Sequence, residues 1–270
     1  MAGRLDGKKA VVVGAGQTPG ETIGNGRAMA LLFAREGAEV LCVDRVLDRA
    51  QETVDMITAE GGSASAFAAD IVFAEQAAAI VAEAVSRLGR LDVLVNNVGI
   101  GSSATAHDGP VHRADEEAFD RLMDVNLKGM WLTIKAAVSV MRETGAGSII
   151  NISSLASLAG NNMIAYEISK AGVNRLTLSV ATSNAKYGLR CNAILPGLMD
   201  TPMAITGVSA ATGRSADETR AMRSARVPLN AQMGTGWDTA YAALFLASDE
   251  SKFITGVLLP VDGGMSARVG

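Results

Sequence analysis

The sequence predicts an α/β fold in which one parallel sheet carries helices on both faces. Three observations support this. Short Val- and Ile-rich runs alternate with longer amphipathic stretches from Lys9 onward. Several of these runs end in Gly, Asp or Asn, the residues that turn a strand toward a ligand-binding edge. The 270 residues are 49% hydrophobic but only 4% aromatic, so aliphatic side chains fill the interior, as in a sheet buried on both faces.

Each element follows from its local pattern. Lys9 to Val13 is a Val-rich strand that runs into glycines, and the helix after it continues to Glu36, where Gly37 breaks it. Glu39 to Val43 forms a second strand ending at Asp44. A helix around Ala50, Val54 and Ile57 stops at Gly61-Gly62, and a third strand near Ala64 to Ala68 ends at Asp70. Ala77, Ile80, Val81, Ala84, Val85 and Leu88 then recur at three- and four-residue steps, which gives one apolar helical stripe. Val93 to Val95, Ser148 to Ile152 and Arg190 to Leu195 supply three more strands. Long helices, roughly Glu116 to Val140 and Ile164 to Lys186, fill the gaps, and Val257 to Val261 closes the sheet. Right-handed crossovers link such units into a doubly wound sheet. No linker or repeat interrupts residues 1–270, so a single domain is expected, with Ala204 to Arg226 as a substrate lid.

Bulk properties exclude other classes. The formal charge of -4 with no basic run argues against nucleic acid or an anionic membrane as partner. Cys42 and Cys191 lie in apolar runs and are expected to be buried free thiols. The polar N-terminal segment and the absence of a membrane-length apolar run point to a cytoplasmic protein. His107 and His112 lack the Cys or carboxylate cluster that would complete a metal site, so no metal is expected, and both are read as solvated loop residues with substrate contact as the alternative. Met163, Met199, Met203 and Met222 are candidates either for an adaptable pocket or for packing, and Trp131 either for burial or for a subunit contact.

Ligands of open α/β sheets lie beyond the carboxyl ends of the strands. The first such turn here is Gly14-Ala15-Gly16, followed by Gly20 and by Gly24-Asn25-Gly26. Glycines let the backbone approach a pyrophosphate, and a helix N-terminus favours its charge. Asp44 can accept from both ribose hydroxyls of an adenosine and would repel a 2′-phosphate, which favours NAD over NADP, although Arg45 and Arg27 lie nearby. Tyr166 and Lys170 stand four apart on one helical face, where an ammonium would favour the phenolate and bring the tyrosine toward acid–base work.

Beyond this spacing, the chain resembles the short-chain dehydrogenase/reductase family from Lys8 to Gly264. Asn96-Asn97-Val98-Gly99 is similar to the family's Asn-Asn-Ala-Gly segment, with Val in place of Ala. Asp70-Ile71 resembles the pair flanking the adenine, and Asp124-Val125-Asn126-Leu127 the helix segment whose asparagine anchors a proton-relay water. Asn151-Ile152-Ser153-Ser154 matches the segment with the catalytic serine, and Pro196 through Met203 the loop that holds the carboxamide and pyrophosphate. Leu246-Ala247-Ser248 and Gly256 through Gly264 resemble the closing helix and strand.

The resemblance implies a Rossmann-type fold and an NAD(H)-dependent oxidoreductase that interconverts a secondary alcohol and a ketone. It casts Tyr166 as acid/base, Lys170 as the residue that lowers its pKa and holds the nicotinamide ribose, Asn126 as the relay and Ser154 as donor to the substrate oxygen. It assigns cofactor contacts to Gly14, Gln17, Thr22, Ile23, Asn25, Asp44, Asp70, Ile71, Asn97, Val98, Gly99, Tyr166, Lys170, Pro196, Gly197, Met199 and Thr201. It also implies a homotetramer or homodimer.

Two departures from the family pattern stand out. The family places its tyrosine thirteen after the serine, whereas Ser154 lies twelve before Tyr166 and Ser153 thirteen. Motif alignment selects Ser154, with one residue deleted from the following loop, and Ser153 is the alternative. The glycine-rich turn is also longer than usual, and Thr22-Ile23-Gly24 resembles the Ser-Ile-Ala segment of divergent enoyl-acyl-carrier-protein reductases. That suggests reduction of a conjugated C=C bond as an alternative chemistry, but those enzymes place the lysine seven after the tyrosine. A non-catalytic dinucleotide-binding protein is a further alternative, since fold does not fix function. The lid and the loop from Ile100 to Arg113 suggest an apolar or cyclic substrate.

Overall fold

The computed structural model describes residues 3–101, 107–160 and 162–268. Seven parallel strands form one sheet: β1 (Lys9–Val13), β2 (Glu39–Asp44), β3 (Ser63–Ala68), β4 (Val93–Asn96), β5 (Gly147–Ile152), β6 (Leu189–Pro196) and, after two short strands given below, β9 (Leu258–Val261). Their spatial order is β3-β2-β1-β4-β5-β6-β9. The order reverses between β1 and β4, and that switch point opens a crevice at the carboxyl ends of the strands. There Val13 pairs with Asn96, so Gly14 and Asn97 leave the sheet side by side.

Both faces are covered, which explains the continuous apolar runs of the central strands. Helices α1 (Asn25–Arg35), α2 (Leu47–Ala59) and α9 (Gly236–Ala247) pack on one face around Phe33, Ile57 and Leu244. Helices α3 (Ala74–Leu88), α5 (Gly129–Thr144) and α6 (Ile164–Asn184) pack on the other around Ile80, Met130, Ile134 and Val173. The edge strand β3 is only half-buried, and the opposite edge β9 carries Pro260, a residue without a backbone donor that suits an edge position. Cys42 and Cys191 are buried free thiols in the core.

One region differs from the periodicity reading, and two others take a form it left open. The expected long helix from Glu116 is α4 (Glu116–Met123), then one π-helical turn at Asp124–Lys128, then α5. The π turn adds a residue to the helical repeat and rotates Asn126 inward, a placement that a 3.6-residue period does not reveal. Residues 204–226, expected as the lid, fall largely within two helices, α7 (Pro202–Thr212) and α8 (Ala216–Ser224). A small two-stranded sheet flanks them, β7 (Met199–Asp200) with β8 (Gly234–Thr235). Trp131 is 44% exposed, with Lys135 over its ring, so it is not a core residue.

Among the described residues, no helix is long and apolar enough to cross a membrane.

Candidate active site

The crevice at the switch point is built first by close backbone approach. Gly14 has φ +85°, and a Cβ on Gly26 would lie 1.8 Å from the Gly14 carbonyl oxygen, so α1 can only seat against the first turn with glycine there. Asn97 donates from Nδ2 to the Gly14 carbonyl at 2.9 Å, tying the β4 end to this turn. Val98 packs its Cγ2 beside Gly14. The extended loop between Gly14 and α1 is stapled by Gln17, which donates to the Thr22 carbonyl at 3.3 Å and accepts from the Gly24 N–H at 2.9 Å. Thr22 in turn donates to Asp200 at 3.3 Å, while Ile23 packs against the core cluster.

The residues here fit a dinucleotide. Helix α1 starts at Asn25 with no side-chain cap and no acidic residue in its first turn, and Asn25 Oδ1 is buried without a partner among the described residues. An uncapped helix N-terminus is a receptor for a diphosphate. Asp44 is half-buried at the end of β2, and one of its oxygens accepts from the Val46 N–H at 3.0 Å. Its other oxygen lies against Gly16, 2.7 Å from where a Cβ would stand. Asp70 is half-buried and accepts from the Val72 N–H. The Ile71 side chain, expected among the cofactor contacts, is buried in the core against Gly129. On the far side Pro196 ends β6, Gly197 abuts Asp262, Met199 is buried against Gly234, and Thr201 is buried at the start of α7.

The candidate catalytic groups converge at the ends of β4 and β5. Lys170 is buried and donates from Nζ to the Ile152 carbonyl at 3.0 Å. The same ammonium would stand 3.0 Å from a Cβ on Gly99, so Lys170 occupies the space that any side chain at position 99 would need. Burial lowers the Lys170 pKa from its ordinary 10.5 to about 8. Tyr166 sits one turn earlier on α6, its ring centroid 5.8 Å from Lys170 Nζ. The Ser154 side chain acts on the Tyr166 phenol, opposing the rise in its pKa that burial causes. Ser153, by contrast, is buried and donates its hydroxyl to the Lys170 carbonyl at 3.1 Å. Of the two serines, Ser154 is the one that meets the tyrosine.

Burial sets the electrostatics of this pair. The family resemblance implies that Lys170 lowers the Tyr166 pKa. Here desolvation dominates and pushes the phenol above its ordinary value, while the Ser154 side chain opposes it. The ammonium is directed at the Ile152 carbonyl rather than at the phenol oxygen. Tyr166 thus rests as a neutral phenol, the form that donates a proton.

Asn126 is fully buried on the π turn. It accepts from the Ile100 N–H at 2.8 Å and donates to the Ile100 carbonyl at 3.0 Å and to Ser169 at 3.2 Å. Ser169 donates to the Tyr166 carbonyl at 2.7 Å, which joins Asn126 to the tyrosine through one hydroxyl.

Some site-bordering residues were not visible to sequence reasoning. Buried Asp108 accepts from the N–H groups of Ala165 and Tyr166. Arg220 on α8 bridges Glu21 of the glycine-rich loop at 2.9 Å and Asp200 at 3.2 Å. Both are long-range pairings that leave no periodic signature. His107, His112 and Met203 are exposed, as is Val111 beside His112 in sequence, whereas Met163 and Met222 are half-buried. The loop from Ile100 to Arg113 lies in part outside the described residues, at 102–106. Among the described residues, no group of three or more His, Cys, Asp or Glu is placed to hold a metal.

Comparison with known proteins agrees with this geometry. Residues 21–266 match the family described as enoyl-(acyl carrier protein) reductase. A solved structure described as a short-chain dehydrogenase/reductase from Burkholderia xenovorans superposes with a TM-score of 0.92 at 41% identity, over 100% of each chain. Carveol dehydrogenase from Mycobacterium avium, solved in complex with NAD, superposes with a TM-score of 0.88 at 29% identity, over 98% of this chain and 100% of that one. The 7alpha-hydroxysteroid dehydrogenase of Clostridium sardiniense is 36% identical over 97% of this chain and 95% of its own length. With its matching fold, full-length similarity and converging Ser154, Tyr166 and Lys170, the chain belongs to the short-chain dehydrogenase/reductase family and is an oxidoreductase.

Proposed function

We propose that this enzyme interconverts a secondary alcohol and a ketone with NAD(H), using Tyr166 as the general acid/base. The observation that carries the reading is the meeting of the Ser154 hydroxyl, the Tyr166 phenol and the buried Lys170 ammonium beside Gly99. When bound, a nicotinamide dinucleotide supplies or accepts the hydride. The protein's part is proton handling and charge stabilisation. In the reductive direction the neutral Tyr166 phenol donates its proton to the carbonyl oxygen, and Ser154 donates a hydrogen bond to the same oxygen as negative charge develops. Lys170 holds the ribose and favours the phenolate that results. Asn126, its amide fixed by Ile100 and Ser169, anchors the path by which that phenolate regains a proton.

Asp44 favours NAD over NADP, because its carboxylate at the adenosine end opposes a 2′-phosphate. The relative solved with NAD supports the same choice. Helices α7 and α8 are the substrate lid, tied to the cofactor loop through Arg220 and Glu21. The exposed Trp131 on α5 and the fully exposed Phe253 mark surfaces for a homodimer or homotetramer.

The description of the matching family favours a second reading, reduction of a conjugated C=C bond. The lysine position four after the tyrosine and the similarity to a 7alpha-hydroxysteroid dehydrogenase support the carbonyl reading over it.

A panel of ketones, secondary alcohols and enoyl thioesters tests these choices with NADH and NADPH in parallel. Ketone or alcohol turnover with a higher kcat/KM for the NAD pair is expected, and Tyr166→Phe should cut kcat by about 10²- to 10⁴-fold while leaving NADH binding intact. Turnover of enoyl thioesters alone, or an undiminished Tyr166→Phe, overturns the proposal.

A further inference from the structure

The first turn of α6 carries Tyr166, and its N–H groups are satisfied from outside the helix. Met163, at the N-cap position, makes no side-chain cap. Instead the Gly109 carbonyl accepts from the Ile164 N–H at 3.2 Å, and the two Asp108 oxygens accept from the Ala165 and Tyr166 N–H groups at 3.0 and 2.9 Å. Asp108 is 4% exposed, so these charge-assisted bonds lie away from water. A carboxylate at this end also complements the helix dipole.

The chain that supplies Asp108 leaves β4 at the cofactor turn. Its start is pinned by Asn126, which brackets both backbone groups of Ile100, and its end is pinned to α6 by Asp108 and Gly109. The two anchors are therefore the relay asparagine and the peptide group of the tyrosine itself.

We propose that Asp108 is a positioning residue for the reaction. Its carboxylate clamps the Tyr166 backbone so that the phenol stays in register with Ser154 and with the substrate oxygen. The proposal rests on Tyr166 being the proton donor. The clamp acts through the peptide group and touches neither substrate nor cofactor. Removing it frees the first turn of α6 to shift, and proton transfer is the step most sensitive to such a shift, since misplacement by about 1 Å can cost about a hundredfold. The dinucleotide cradle at α1 and Asp44 is built from other elements and is not expected to change.

The test compares the parent with Asp108→Ala and Asp108→Asn, measuring kcat, NADH affinity and the solvent deuterium isotope effect on kcat. Asp108→Ala should lower kcat by about ten- to a hundredfold, raise the isotope effect and leave the NADH Kd within about twofold. Asp108→Asn keeps one acceptor oxygen and should fall between the two, with the isotope effect raised in the same direction. A merely structural role would reduce kcat and NADH-binding capacity together at an unchanged isotope effect, and that result overturns the proposal. So does parental kcat in either variant. Should Asp108→Ala fail to fold, Asp108→Asn alone decides by the same criteria. An active parent with Tyr166→Phe also active would overturn the assignment of the proton donor, and the clamp with it.

Discussion

Ser153 and Ser154 are neighbours in sequence but have different partners. Ser153 is turned into α6, where its hydroxyl reaches the Lys170 carbonyl, whereas Ser154 reaches the phenol and also accepts from the Ala156 N–H at 3.1 Å. Ser154→Ala should therefore lower kcat by about a hundredfold through loss of an oxyanion donor. Ser153→Ala should instead reduce thermal stability and keep most of the turnover, and steady-state rates together with melting curves separate the two. Lys170 makes a pH prediction of its own. Its pKa falls from 10.5 in the unfolded chain to about 8 in the fold, so between those values the unfolded state binds more protons. Stability from this group consequently rises as pH increases through that window, and below about 8 the buried charge is a cost. Urea unfolding across the window should show a shallower rise for Lys170→Met than for the parent. An identical slope would mean that Lys170 is not desolvated as described.

At the scale of elements, the site depends on two local irregularities and one well-made helix. The π turn at Asp124–Lys128 points Asn126 at Ile100, and the sharp approach of Gly26 to Gly14 seats α1 under the cofactor crevice. Helix α8 has a complete capping box, with Ser215 accepting from the Glu218 N–H and the Glu218 carboxylate accepting from the Ser215 N–H. The backbone and side-chain hydrogen bonds from Ser215 hold the Glu218 pKa below its ordinary value. Ser215→Ala should cost α8 about 1 kcal/mol and speed amide exchange in residues 216–224, with the central sheet unaffected. Uniform exchange changes across the sheet would show that α8 is not a separate lid unit. Because Arg220 links α8 to Glu21 and Asp200, the same variant should also weaken NADH binding modestly.

For the molecule as a whole, the order reversal between β1 and β4 decides where ligands collect. The glycine turn, Asn97 and Gly99 all face that crevice, and the tyrosine helix lies across it on the side of β5. Exposed apolar residues lie elsewhere, with Phe119 and Trp131 on α4 and α5, Tyr241 on α9 and Phe253 just before β9. The proposed assembly would place its subunit contacts on these side chains. Light scattering should report a dimer or tetramer for the parent, and Trp131→Glu combined with Phe253→Glu should shift the mass downward. A monomeric parent overturns the assembly.

Much of this was legible in the residues themselves. Short continuous apolar runs and stripes of period 3.6 report burial directly, so the strands, the α3 stripe and the doubly wound sheet follow from local pattern. The four-residue step from Tyr166 to Lys170 is likewise fixed by helix geometry. What the sequence could not supply were pairings between distant segments. The choice of Ser154 over Ser153 depends on which hydroxyl faces α6. The clamp from Asp108 to Tyr166 joins residues 58 apart, and Arg220 meets Glu21 from the far end of the chain. The resting state of Tyr166 also depended on the fold, because desolvation is a property of surroundings that only packing creates.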